Sequence, residues 1–82
     1  MISIKGFDRT QYDFIVKHHA FIRALQRRIT PDMIEATLKG GTIQWFGKNC
    51  LKLSKQYRSG TIICVGEIVG TTIKILTIER KP

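Results

Sequence analysis

At 82 residues, with 43% hydrophobic and 24% charged positions, the chain has room for one small domain over 1–82 and not for two. Its 14 Lys and Arg against 6 Asp and Glu leave a net charge of +8, which predicts an anionic partner: nucleic acid, an anionic membrane or an acidic protein. No apolar run approaches about 18 residues and no signal-peptide pattern opens the sequence, so neither a membrane span nor self-export is expected. The basic residues are dispersed, and any cationic patch has to be assembled by folding. Cys50 and Cys64 lie in apolar strand-like runs without zinc spacing, which reads as buried thiols in a reducing, cytoplasmic setting.

In chain order, Ile2 to Lys5 alternates apolar and polar residues like a short edge strand or an ordered arm. Asp8 suits a helix cap, with Gln11 three residues on and Phe7 able to staple onto Tyr12, so a helix is expected from about Arg9. The aromatic and β-branched run Tyr12 to Val16 argues instead for a strand or irregular segment that turns helical near Lys17. On either reading the helix runs through Gln26. It places His19, Arg23 and Arg27 four residues apart on one ridge, with Ile22, Leu25 and Ile29 as the core stripe. Thr30-Pro31-Asp32 caps and starts a second helix to about Lys39, with Ile34 or Met33, Thr37 and Leu38 facing the core, and Gly40-Gly41 closes it in the left-handed region.

From Thr42 the period changes to two. Strands are expected at Thr42 to Phe46, Cys50 to Tyr57, Thr61 to Ile68 and Thr71 to Arg80, with a bulge or close backbone approach at Gly66. The last strand is apolar on both faces and is expected inside the sheet. The fold class that follows is α+β, two N-terminal helices packed on a four-stranded antiparallel sheet.

The block His19-Ala20, Arg23, Arg27, Ile29-Thr30, a second helix with Ile34 and Leu38, and the ending Ile75-Leu76-Thr77-Ile78 resembles the pattern of a family of small bacterial and phage-borne domains. Those domains are similar to RelE-type toxins and to the fold group of barnase, EndoU, colicin-type nucleases and RelE. The resemblance covers the chain from Lys17 on and implies a RelE-like fold, metal-independent ribonuclease chemistry and a place in toxin and antitoxin systems. Arg28 stands where that pattern has Gly, and His18 adds a second imidazole.

Cleaving RNA without metal requires a base for the 2′-hydroxyl, an acid for the leaving 5′-oxygen and cations for the phosphorane. His19 suits acid or base, Arg23 and Arg27 suit the phosphate, and Thr77, matched to the terminal motif, is a candidate to position it by hydrogen bond. Arg28, Lys52, Lys55 and Tyr57 are further nucleic-acid-binding candidates, with no metal or other cofactor called for. Each has a plainer reading: the arginines as a solvated helix face, Thr77 as a good strand former, Tyr57 as a core residue. Two other functions compete with RNA cleavage. One is a basic module that binds nucleic acid without cutting it. The other is an interaction domain for an acidic partner, such as an antitoxin-like segment added to a sheet edge.

Overall fold

The computed structural model of the protein describes residues 11–81. The arm at Ile2 to Lys5 and the cap at Asp8 lie outside the described residues. Where helix and strand competed, the β-branched run wins, because Phe14, Ile15 and Val16 gain more from pairing than from a helical turn. Strand β1, Asp13–Val16, lies parallel to the last strand, with Asp13 opposite Thr72 and Val16 opposite Ile75. The Lys17 amide makes a final bond to the Ile75 carbonyl, at 3.0 Å, and the chain then turns into helix α1, His18–Gln26.

Helix α1 buries Ala20 and Ala24, one turn apart, against the sheet. Their short side chains let the helix backbone approach closely, and this rotates the expected stripe: Ile22 and Leu25 are 38% and 42% exposed, and of that stripe Ile29 alone, just past the helix, is buried. The helix ends with the Arg28 amide bonded to the Leu25 carbonyl at 3.0 Å and the Ile29 amide to the Ala24 carbonyl at 2.9 Å. That pair of bonds defines a Schellman motif, with Arg28 at the left-handed position (φ 63°) and Ile29 carried into the core beside Ala24.

Helix α2, Pro31–Gly40, starts as its sequence signals, with the Thr30 hydroxyl accepting from the Met33 amide at 3.2 Å. Ile34, Thr37 and Leu38 are its buried face. Its end differs from expectation. Gly41 has φ −72°, not left-handed, and is required for space, since a Cβ there would sit 2.5 Å from the Thr37 carbonyl oxygen and 2.8 Å from that of Ser54.

Strands β2 (Thr42–Phe46), β3 (Cys50–Tyr57), β4 (Gly60–Val69) and β5 (Thr72–Lys81) form the antiparallel meander. With β1 the sheet has five strands in the order β1-β5-β4-β3-β2. The expected four-stranded antiparallel sheet behind two N-terminal helices is therefore corrected to an α+β fold with a mixed sheet, its helices between β1 and β2. β1 supplies the second neighbour that places β5 inside the sheet.

Both helices cover one sheet face, over Leu51, Leu53, Ile62, Cys64, Ile73, Ile75 and Ile78. Burial pushes the Cys64 thiol up to about 12. The β4–β5 register shifts at Val65/Gly66, because Gly66 pairs with Ile75 while Val65 pairs with Thr77, leaving Leu76 as the inserted residue of a bulge on β5. Gly66 is the close approach the sequence suggested, its missing Cβ being 2.9 Å from the Lys74 carbonyl oxygen. After the bulge the alternation resets, so that Ile75 and Ile78 both face the helices and Leu76 is turned outward.

Candidate functional site

β1 ends opposite Ile75, so among the described residues no strand pairs the outer edge of β5 beyond the bulge. A pocket of about 350 Å³ lies there, lined by His19, Ala20 and Arg23 of α1, by Arg27 just past its end, and by residues 76–80 of β5. The i, i+4, i+8 ridge of α1 forms one wall and the strand the other. Arg27 bridges them, its Nη1 donating to the Ile78 carbonyl at 3.2 Å. That carbonyl points to the α1 side, and in a regular strand the Ile78 N–H points the same way.

Four sequence candidates, His19, Arg23, Arg27 and Thr77, thus meet in one pocket although Thr77 comes from the far end of the chain. Arg80 joins them and was missed. Its Nη2 donates to the Arg28 carbonyl at 3.0 Å, and its Nε–H is shut off from solvent with no hydrogen-bond partner. A buried donor left in that state costs about 1–3 kcal/mol. The signal for Arg80 was its place two residues after Ile78 on a strand, but its facing depends on the bulge. Glu79 also lines the pocket, yet among the described residues the one ion pair within 4.0 Å is the exposed Glu35–Lys39 pair, at 2.7 Å. The Lys39 ammonium, by hydrogen bond and charge, holds the Glu35 carboxyl below its ordinary range. Among the described residues no carboxylate lies within ion-pair distance of the three pocket arginines.

The remaining candidates are dispersed. Arg28 gives its carbonyl to Arg80, and its own side chain is exposed. Lys52 stacks over the Phe46 ring, 5.6 Å from its centre, on the sheet face that the helices leave uncovered. Lys55 lies at the end of α2 beside Gly40 and Thr42. The Tyr57 hydroxyl lies 3.0 Å from the Thr37 hydroxyl and donates to the Met33 carbonyl at 3.1 Å, which ties β3 to α2. Thr37 reaches the same carbonyl at 2.8 Å, so two hydroxyl protons serve three contacts. His18 lines a separate apolar groove with Phe14, Val16 and Phe21.

Cys50 and Cys64 are free thiols on opposite faces of the sheet, since Cys64 shares a face with its partner Leu53 and Cys50 is one residue out of phase with Leu51. No group of three or more His, Cys, Asp or Glu that could hold a metal occurs among the described residues, and among them no helix is long and apolar enough to cross a membrane. No protein-family model matches the chain, no curated protein matches it, and no solved structure matches it. The family resemblance therefore stands on the residue spacing given above.

Proposed function

We propose that the protein is a metal-independent endoribonuclease of toxin type, acting on RNA in the cytoplasm. The observation that carries this reading is the meeting of His19, Arg23, Arg27 and Thr77 in one open pocket. In the proposed reaction the 2′-oxygen loses its proton and attacks the adjacent phosphorus, the P–O5′ bond breaks, and the products are a 2′,3′-cyclic phosphate and a 5′-hydroxyl. One imidazole serves one of the two proton transfers, and solvent, which reaches this pocket, serves the other. Arg23 and Arg27 balance the charge that builds on the phosphorane oxygens, while Thr77 borders the pocket from β5 with its pairing to Val65 setting its side chain on the sheet face away from α1. The two free thiols, which the sheet holds apart, favour a reducing compartment.

The test is cleavage of labelled RNA in EDTA, free and on translating ribosomes, by wild type and His19→Ala. Cyclic-phosphate ends from wild type, reduced about 100-fold or more in the variant, are expected. His19 is exposed, so the fold should be retained. RNA left intact by the wild type on both substrates sinks the proposal. Binding without cutting by both proteins selects the second reading, a nucleic-acid-binding module, which the Lys52–Phe46 pair on the uncovered sheet face favours. An acidic antitoxin-like protein would be an inhibitor on the first reading and the principal partner on neither.

A further inference from the structure

We infer that Arg80 is the fixed cation of an oxyanion site in this pocket, and that the group the site takes is a phosphate. The inference rests on the ribonuclease reading for its choice of phosphate, but it does not require that cleavage follow binding. Arg23 on α1 and Arg27 at its end are exposed and reach the pocket on long stems, Arg27 with one bond to the Ile78 carbonyl at 3.2 Å. Arg80 differs from both in burial. It is half-buried and rises from an inner strand, and one end of its guanidinium is tied to the Arg28 carbonyl at 3.0 Å. Arg80 is among the residues that line the pocket, and its Nε–H is closed off from solvent and without an acceptor. A donor in that state is half of a contact, and an oxygen atom entering the pocket supplies the other half.

The directions of the donors define the ligand. Arg23 and Arg27 approach from the helix wall, whereas Arg80 approaches from the strand wall. Donors arriving from two walls suit a tetrahedral oxyanion, which offers oxygens on every side, better than a planar carboxylate. No carboxylate within ion-pair distance competes for the three guanidinium groups among the described residues.

The substitution that separates this role from a purely structural one is Arg80→Lys. An ammonium can still bond the Arg28 carbonyl, but it has no Nε–H and no planar fork. The experiment titrates ¹⁵N-labelled wild type and Arg80→Lys with inorganic phosphate, with ionic strength held constant by NaCl, and follows backbone amides and arginine Nε–H signals. In wild type, a saturable shift is expected in the Arg80 Nε–H signal and in the amides of residues 19–28 and 76–80. In Arg80→Lys, phosphate binding should weaken at least about tenfold. Equal phosphate affinity in the two proteins, or shifts spread over Lys52, Lys55 and Lys74 instead of the pocket, overturns the inference. If Arg80→Lys does not fold, the wild-type signals decide alone. A pocket that binds phosphate in a protein that never cuts RNA removes the ribonuclease reading and leaves this one standing. Equal phosphate affinity in the two proteins, alongside RNA cleavage by the wild type, removes this one and leaves the other.

Discussion

Arg28 holds φ 63° at the position where a Schellman motif ordinarily places glycine. For a residue with a Cβ this region costs about 1–2 kcal/mol, and glycine avoids the cost while giving back about 0.4–1 kcal/mol through its freer unfolded chain. Arg28→Gly is therefore expected to stabilise the protein by about 0.5–1 kcal/mol, read as a higher urea midpoint at unchanged slope. A lower midpoint would mean that the Arg28 side chain contributes more than its backbone strain removes. At this scale the sequence was readable where one helical period sufficed. His19, Arg23 and Arg27 fall on one ridge because 3.6 residues make a turn, and the structure keeps that ridge. Arg80 was not readable, since an unbroken alternation from Ile73 and Ile75 would put it on the face opposite theirs. Only the insertion of Leu76 resets the phase and brings it round to α1.

Among the elements, the join between α2 and β2 leaves no room for a side chain at Gly41. Gly41 has ordinary dihedral angles, but its absent Cβ leaves room for two backbone carbonyls, of Thr37 and Ser54, that cannot swing aside as a side chain would. Gly41→Ala should cost about 1–3 kcal/mol by calorimetry or denaturant unfolding, as other overpacked sites do. No loss of stability would show that the α2–β3 contact can open without penalty. Helix α2 and the meander were legible because their boundaries carry strong chemistry, Thr30-Pro31 at one end and paired glycines and turns elsewhere. Helix α1 was legible in extent and misread in facing. Hydrophobic periodicity weights Ile22 and Leu25, whereas close packing on a sheet selects the small residues Ala20 and Ala24. β1 is only four residues long, too short for its alternation to outweigh the helix signals around it.

For the molecule as a whole, a charge of +8 on 82 residues, with one exposed ion pair among the described residues, makes self-repulsion a standing cost of the folded state. Raising NaCl from about 10 to about 300 mM shortens the screening length from roughly 30 Å to well under 10 Å, so the melting temperature should climb by a few degrees. A flat or falling curve in scanning calorimetry would show that the cations are spaced widely enough not to repel. At this scale the sheet's outer strand could not be read, because a parallel pairing between β1 and β5 leaves no turn signal: the partners lie 59 positions apart, as Asp13 and Thr72 do. That same pairing dictates an order of events during synthesis. β1, α1 and the first wall of the pocket emerge from the ribosome early, yet β1 has nothing to pair with, and the pocket has no second wall, until β5 has been made. Arg80 therefore joins Arg23 and Arg27 only once β5 has slotted between β1 and β4.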